Sequence, residues 1–277
     1  MPEGDTVWRT ARLLDRALAG RTLTRTDFRV PQLATTDLSG GAVPGTESRG
    51  KHLLTRIDHP EQGALTLHTH LKMEGAWQVY RPGEKWRRPT HTARVVLATA
   101  AGEAVGFSLG VVELLPRERE PDVVGHLGPD LLGADWDEAA ALRNLLADPS
   151  RPLHEALLDQ RNLAGLGNMY AAELAFTAGL HPFTPVGEVP DLAGLVRRGR
   201  QMLVANRERA QQSTTGELRR DRRTWVYRRE RAGCLRCGTP VRIDQLAPTG
   251  YERTVYWCPS CQPVISGRDP RSAPGRD

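Results

Sequence analysis

The chain has little lysine, no long apolar run and no cysteine in its first 233 residues. Lysine occurs only at positions 51, 72 and 85, so 35 of the 38 basic residues are arginine. A membrane-spanning helix needs about 18 or more consecutive apolar residues, and no such run is present. The N-terminus also lacks the apolar stretch of a secretory signal. We therefore expect no membrane span and a cytoplasmic location.

The 277 residues are enough for two compact domains and a small additional module. The formal net charge is +5, and the pI is about 9.3. Arginine presents a planar fork of donors that suits phosphate, so this excess favours a polyanionic partner. The alternative is a compositional bias with a solvated basic surface, because net charge does not say where the charges lie.

All four cysteines lie in two CxxC pairs. Cys234 and Cys237 are separated by 20 residues from Cys258 and Cys261. Two such pairs supply four thiolates, which close a tetrahedral site and leave no open position for water. Two disulfides are the alternative, but nothing in the sequence indicates secretion. We therefore predict one structural Zn²⁺ per chain.

The N-terminus reads MPEGDTVWRT. If Met1 is removed, Pro2 becomes a free secondary amine. Alpha-amino groups have a pKa of about 8, so a useful fraction is unprotonated near neutrality and can attack an electrophilic carbon. Glu3 would then lie beside this nucleophile as a candidate proton carrier. The alternative is that a Met-Pro start is incidental.

Apolar spacing divides the chain into regions of different secondary structure. Val7, Ala11, Leu14 and Leu18 predict a helix over residues 6–19, capped by Asp5 or Thr6 and ended by Gly20. Short β-rich runs follow to about residue 115 and predict an antiparallel sandwich. From about residue 136, apolar residues recur at helical spacing. The polar, basic stretch 211–231 is predicted to be a loop or short connector.

The fold class is therefore α+β with several domains: an N-terminal β-sandwich, a helical domain and a C-terminal zinc module. The predicted boundaries are a β-sandwich that carries Pro2 and Glu3 at 1–118, a linker at 119–132, a helical domain at 133–217, a connector with the zinc finger at 218–262, and a disordered tail at 263–277.

Four separated motifs in this order carry a family resemblance. They are MPEG at the start, SRGKHLL at 48–54, LLDQRNLAGLGNMYAAE at 157–173 and YERTVYWCPSC before the chain end. Together they resemble the formamidopyrimidine-DNA glycosylase and endonuclease VIII family over residues 1 to about 262. The segments ESRGKHLL, LDQxxLAGLGN and YWCPxCQ look most like the endonuclease VIII branch.

The resemblance implies a β-sandwich, a helix–two-turns–helix domain and a β-hairpin zinc finger, with damaged DNA between the halves. It implies a DNA glycosylase and abasic-site lyase of base excision repair. Pro2 matches the nucleophile that forms a Schiff base with the sugar, and Glu3 matches the acid that helps to open the sugar. The implied outcome is removal of an oxidised base, pyrimidines preferred, and strand cleavage by β,δ-elimination.

The resemblance also implies DNA contacts. Lys51 matches a lysine that binds phosphate and assists elimination, and Arg253 matches an arginine of the zinc-finger hairpin that clamps phosphates. A solvated surface role is the alternative for both. Asn168 matches a phosphate-binding residue at a turn between helices; the alternative is a helix cap. Glu173 shares this motif, and catalytic support and capping remain open for it.

Three further positions are assigned to DNA binding by alignment with the family: Met73, Lys72 and His126. Met73 matches an apolar wedge that fills the space of a flipped nucleotide, and core packing is its alternative. Lys72 and His126 align with polar DNA-contacting positions of the endonuclease VIII branch, but neither is the residue type that is usual at its position.

The sequence departs from the family at Thr6, where a second glutamate is common, which leaves lesion recognition open. The arginine–phenylalanine pair of the guanine-directed branch cannot be placed, since Phe107 alone does not define it. The alternatives are a non-catalytic zinc-finger protein, a member that binds damage without cutting, and a glycosylase preferring oxidised purines. The expected partner is damaged DNA, duplex or single-stranded, bound by a monomer in the bacterial nucleoid.

Overall fold

The computed structural model describes residues 2–246 and 253–263. It divides into two compact units, one up to His126 and the other from Leu127. The predicted tail lies outside the described residues, except for Pro263. None of the helices in the described ranges is long and apolar enough to cross a membrane.

The N-terminal unit begins with helix α1 (Gly4–Leu18). The predicted apolar stripe is confirmed, since Val7, Ala11, Leu14 and Leu18 are all buried. The predicted cap is wrong. Glu3 is the N-cap residue, and Asp5 is fully buried in the first turn. After the helix, Gly20 adopts a φ of +71°, which favours glycine and turns the chain into the first strand.

Two antiparallel sheets form a β-sandwich. The five-stranded sheet has the order β1-β3-β4-β5-β9, and the four-stranded sheet has the order β2-β7-β8-β6. The strands are β1 (Arg21–Thr22), β2 (Arg25–Phe28), β3 (Ala42–Arg49), β4 (His52–His59), β5 (Gly63–His70), β6 (Ala76–Tyr80), β7 (Ala93–Thr99), β8 (Gly102–Phe107) and β9 (Val111–Pro116). The short helix α2 (Glu120–Val124) follows.

The main core of the N-terminal unit combines the apolar face of α1 with inward-facing residues of both sheets, including Leu53, Leu67, Val95 and Leu97. Alternate residues of each strand point away from this core. In β4 the outward set begins with His52, opposite His70 of β5. This alternation places a row of polar side chains on the outer face of the five-stranded sheet.

The described residues of the C-terminal unit form four α-helices and a β-hairpin. They are α3 (Glu138–Leu146), α4 (Leu153–Leu158), α5 (Asn168–Thr177), α6 (Leu192–Asn206), β10 (Arg242–Leu246) and β11 (Arg253–Trp257). Asp137 and Asp191 cap α3 and α6 by accepting backbone N–H bonds. Residues from Met169 to Phe176 are all buried, so α5 is the central helix of this unit.

Candidate functional site

Pro2 and Glu3 lie at the beginning of α1. Pro2 is half-buried, and Glu3 is fully buried with an extended backbone. The carbonyl oxygen of Glu3 accepts the Val7 N–H over 3.0 Å and starts the helix. A carboxylate at this helix end is stabilised by the positive end of the helix dipole. The fold therefore holds an acid directly beside the proline.

Lys51 lies in the two-residue turn between β3 and β4. Arg49 and His52 are paired across this turn, and Gly50 has a φ of +57°. A two-residue hairpin requires positive φ in its turn, which glycine adopts without steric cost. The RGK motif is therefore a turn that presents Lys51 at one end of the five-stranded sheet.

Lys72 and Met73 lie in the segment between β5 and β6. Lys72 has a φ of +52°, and its backbone N–H donates to His70 Nδ1 over 2.9 Å. Met73 is 59% exposed, so core packing does not explain this residue. The preceding Leu71 is buried and anchors the segment.

Histidine side chains are clustered at the same end of the sheet as Lys51. The His52 ring lies 5.1 Å from that of His70 and 6.3 Å from that of His126. Burial, and after it the positive charges of Lys72 and Lys51, lower the pKa of His70 to about 4. Lys51, Lys72, His70 and His126 thus share one polar, nitrogen-rich surface. The sequence analysis did not identify His70. The signal that could have found it is its place in HTHLK, two residues before Lys72.

In the C-terminal unit, Asn168 is the first residue of α5 and both ends of its side chain are engaged. Its Oδ1 atom lies 2.9 Å from Nε2 of the buried His154, and its Nδ2 donates to the Thr254 carbonyl oxygen over 2.8 Å. Asn168 therefore joins the turn before α5 to the cysteine-bearing hairpin. His154 was missed by the sequence reasoning, because its partner is 14 residues away.

Arg253 is the first residue of β11, and its backbone pairs with Leu246 of β10. Its side chain, like residues 247–252, lies outside what the structure describes. The strand after Arg253 is well packed, since Val255 and Trp257 are buried in the core of the C-terminal unit. The backbone that carries Arg253 is thus fixed from one side by β10 and from another by Asn168.

The four cysteine sulfurs lie within 4.8 Å of one another. The Cys237 and Cys258 sulfurs are 3.5 Å apart, and those of Cys234 and Cys261 are 4.0 Å apart. Four thiolates at about 2.3 Å from a tetrahedral Zn²⁺ would lie about 3.8 Å from one another. Hydrogen bonds with the side chain and backbone of Thr239 lower the pKa of Cys237 to about 6, whereas burial raises the pKa of Cys258 and of Cys261. The cluster therefore fits a metal ion in size and in donor chemistry.

Glu173 is fully buried in α5 and binds a distant segment. Its carboxylate accepts backbone N–H bonds from Trp225, Val226 and Tyr227, each over 2.7 to 2.8 Å, and a bond from the Thr214 hydroxyl. Burial raises the pKa of Glu173, and these four donors oppose that rise. Glu173 therefore organises the basic segment 211–231, which contains turns but no helix or strand in the structure.

These features define a class of protein: a β-sandwich followed by a helix–two-turns–helix unit with a four-cysteine β-hairpin. A model of the formamidopyrimidine-DNA glycosylase N-terminal domain matches residues 1–108, and one of the formamidopyrimidine-DNA glycosylase H2TH domain matches residues 127–192. The chain belongs to the formamidopyrimidine-DNA glycosylase family, which confirms the resemblance and the fold class predicted from its motifs.

Relatives within this family are similar over nearly the whole chain. The chain is 53% identical to the "Probable endonuclease 8 2" of Streptomyces coelicolor, with 95% of this chain and 94% of that protein covered. It is 50% identical to the "DNA-(apurinic or apyrimidinic site) lyase Nei2" of Mycolicibacterium smegmatis, with 95% and 99% covered. The fold matches that of Lactococcus lactis formamidopyrimidine-DNA glycosylase bound to DNA containing an abasic site, with a TM-score of 0.76, 22% identity, and 95% and 100% coverage.

Proposed function

We propose that this protein is a bifunctional DNA glycosylase and abasic-site lyase of base excision repair. The similarity to endonuclease 8 relatives over 95% of the chain carries this proposal. The buried Glu3 beside Pro2 at the head of α1 supports it, because the reaction needs an acid next to an amine. The expected setting is the bacterial cytoplasm, at the nucleoid, with the enzyme acting as a monomer on damaged DNA.

In the proposed mechanism, Met1 is removed and the Pro2 nitrogen attacks C1′ of the damaged nucleotide, which is flipped out of the duplex. The bond from C1′ to the base breaks, and Glu3 supplies the proton that opens the sugar ring. The resulting iminium carries a fixed positive charge, because a secondary amine leaves no proton to lose from nitrogen. This charge acidifies the C2′ proton, and its loss expels the 3′ phosphate; elimination at the 5′ side follows.

DNA binding is assigned to residues of both units. Lys51, Asn168 and Arg253 are proposed to bind the phosphates beside the lesion, and Asn168 also to hold the hairpin that carries Arg253. Met73 is proposed as the wedge, and its 59% exposure supports this assignment. Lys72 and His126 lie on the nitrogen-rich surface near His52, where a phosphate would find donors.

Zn²⁺ is the proposed metal at Cys234, Cys237, Cys258 and Cys261. The sulfur separations support it, since a four-thiolate set with tetrahedral spacing is typical of structural zinc sites. Bound there, the ion would cross-link the segment around Cys234 to the hairpin. It has no chemical step to perform, because all four ligand positions are occupied by cysteine.

Borohydride trapping tests the covalent chemistry. Wild-type protein incubated with DNA containing an abasic site and borohydride should form a stable adduct on the N-terminal peptide, identified by mass spectrometry. Pro2→Gly keeps an amine but loses the ring and should trap more weakly. An adduct on another residue, or retention of Met1 in fully active protein, would contradict the assignment. Binding without trapping would favour the non-catalytic alternative.

Oxidised pyrimidines such as thymine glycol are the proposed preferred substrates. Ring-saturated pyrimidines are non-planar and stack poorly, so they cost less to flip than a planar 8-oxoguanine. With Met73 as the proposed wedge, the enzyme should favour lesions that are already loosened. Single-turnover rates on matched duplexes measure this preference. Faster excision of 8-oxoguanine opposite cytosine than of thymine glycol opposite adenine would instead support the purine-directed alternative.

A further inference from the structure

Three side chains on the outer face of the five-stranded sheet form a continuous hydrogen-bonded chain. The Oε2 atom of Glu113 on β9 lies 2.9 Å from His68 Nδ1. His68 Nε2 in turn lies 2.8 Å from His52 Nδ1. The planes of the two imidazole rings are inclined by 19° and their centroids lie 5.0 Å apart. This hydrogen-bonded chain begins at the Glu113 carboxylate, which is about half exposed. It passes through the buried His68 ring and ends at His52.

The carboxylate fixes which nitrogen carries each proton. An ionised Glu113 accepts only, so His68 must donate to it from Nδ1. If His68 is neutral, its Nε2 then has no proton and must accept from His52 Nδ1. Burial, and after it the positive charges of His70, His68, His126 and Lys72, lower the pKa of His52 to about 3, so its ring is neutral near pH 7. In this arrangement His52 Nε2 carries no proton and is an acceptor.

A second arrangement of the protons on His68 and His52 contains one more proton than the first. If that proton enters on His68, both nitrogens of His68 donate, one to Glu113 and the other to His52 Nδ1. The neutral His52 ring then carries its own proton on Nε2, which becomes a donor. The added charge stays on His68, where the Glu113 carboxylate compensates it, and no charge is placed on His52 itself.

We propose that the Glu113–His68–His52 chain is a proton-linked phosphate site: binding of a DNA phosphate takes up one proton from solvent onto His68 and converts His52 Nε2 into a donor to that phosphate. This inference rests on the proposed function, because it takes DNA as the ligand.

The surroundings of the chain favour an anion at this place. Among the described residues, the groups whose charge acts on His52 and His70 are Lys51 in the turn before β4, Lys72 after β5, His68 and His126 after α2. Glu113 on β9 is bonded to His68. Further along the same face, beside Thr66, Glu120 is bonded to Arg56, so its negative charge is already compensated. A phosphate oxygen accepts hydrogen bonds and cannot donate them, so it matches His52 only in the second arrangement.

Proton uptake can be counted directly by isothermal titration calorimetry at pH 7. Wild-type protein is titrated with a duplex containing a tetrahydrofuran abasic analogue, in buffers of different ionisation enthalpy. Glu113→Gln is the sharpest variant, because glutamine still accepts from His68 Nδ1 but removes the compensating charge at a partly exposed position. His68→Gln removes the ring that is proposed to take up the proton. Both should reduce the number of protons taken up by as much as one.

The pH dependence of Kd gives a second readout. One linked proton weakens binding by at most about tenfold for each unit of rising pH. This slope should be flatter in Glu113→Gln and His68→Gln than in wild type. His91→Gln is the matched control, since His91 is exposed in the segment before β7, and it should keep the wild-type slope and proton count.

Unchanged proton uptake and an unchanged slope in Glu113→Gln would overturn the proposal, whatever His68→Gln does to folding. Borohydride trapping by the wild-type protein is read separately. Trapping with no Glu113-dependent uptake removes only the proton-linked site. Absence of both trapping and DNA binding removes the proposed function as well.

Discussion

The side-chain amide of Asn168 donates to the backbone carbonyl oxygen of Thr254 over 2.8 Å, while its oxygen lies 2.9 Å from His154 Nε2. The GLGN turn is thereby bonded to the strand that carries Arg253. A phosphate-binding arginine on a hairpin is useful only if the hairpin is held in place. The structure therefore gives Asn168 a positioning task in addition to the phosphate contact that we propose for it.

Asn168→Asp should weaken both the hairpin and DNA binding. Aspartate keeps the shape and the acceptor for His154 but loses the donor to Thr254, and its second oxygen then faces a carbonyl oxygen. Leaving a buried polar group without its partner costs about 1–3 kcal/mol. Thermal unfolding and Kd for abasic-analogue DNA measure the effect. Asn144→Asp also loses bonds to backbone carbonyls, one of them exposed to solvent, and it does not touch the hairpin, so it should leave DNA binding unchanged.

Glu173→Gln should release the basic segment 211–231. Glutamine replaces one carboxylate oxygen with an NH₂ group, which would face the N–H donors of residues 225–227. Loss of these bonds should destabilise the unit by about 1–3 kcal/mol and speed tryptic cleavage within the segment. Glu155→Gln, in a half-exposed pair with Arg151, is the control. Equal cleavage rates for Glu173→Gln and wild type would show that this carboxylate does not hold the segment.

Sequence patterns predicted the elements that are built from local periodicity. The apolar stripe of α1 and the clustering of the two CxxC pairs were predicted correctly, because their spacing is itself the structural requirement. β3 has no simple strand pattern, because it contains Pro44 and Gly45 at a shift in strand register, where a bulge tolerates residues that strands usually exclude.

Long-range partners could not be predicted in this way. Glu173 contacts residues 41 to 54 positions away, and Asn168 contacts one 86 positions away. The histidine cluster depends on strand register, which pairs His52 with His70. A register shifted by one residue would turn one of these rings to the opposite face of the sheet. Tertiary structure, and not the motif, brings these groups together.

Acid should destabilise the N-terminal unit through His52 and His70. Their folded pKa values of about 3 and about 4 lie below the ordinary value of 6.5, so between these limits the unfolded chain binds more protons than the folded one. Stability is therefore retained above pH 6.5 and falls as pH decreases below it, by at most about 1.4 kcal/mol per pH unit for each histidine. Urea unfolding from pH 7.5 to 4.5 measures this slope.

His52→Gln should flatten that slope, because glutamine does not titrate, whereas the exposed His91→Gln should leave it unchanged. A slope that is the same in all three proteins would mean that the half-buried His52 does not govern the acid response.

Loss of the metal should impair DNA binding although no cysteine is proposed to touch DNA. Cys258 is fully buried, and Cys258→Ser removes one of four thiolates from the cluster. The variant should contain less than one equivalent of zinc by elemental analysis and bind abasic-analogue DNA more weakly. Ser260→Ala, in the same knuckle but outside the ligand set, should keep the metal. Full DNA affinity in zinc-free protein, or disulfides Cys234–Cys237 and Cys258–Cys261 in native protein, would contradict the structural zinc site.

The salt dependence of binding tests the role of Arg253. Each phosphate neutralised by a protein cation releases condensed counterions from duplex DNA and contributes about −0.9 to the slope of log K against log salt. Arg253→Ala should therefore weaken binding at low salt and make the slope shallower by about one unit.

Arg253→Ala removes a proposed phosphate contact and also lowers the net charge of the protein by one. Arg197→Ala separates these two effects. Arg197 lies on α6 and pairs with Glu138 over 2.8 Å, so its loss changes the net charge equally without removing a proposed phosphate contact. Its slope should equal that of wild type. Fluorescence anisotropy with abasic-analogue duplex from 50 to 300 mM salt (roughly the range over which such contacts are lost) gives both slopes. If Arg253→Ala and Arg197→Ala have the same slope as wild type, Arg253 does not neutralise a phosphate in the complex.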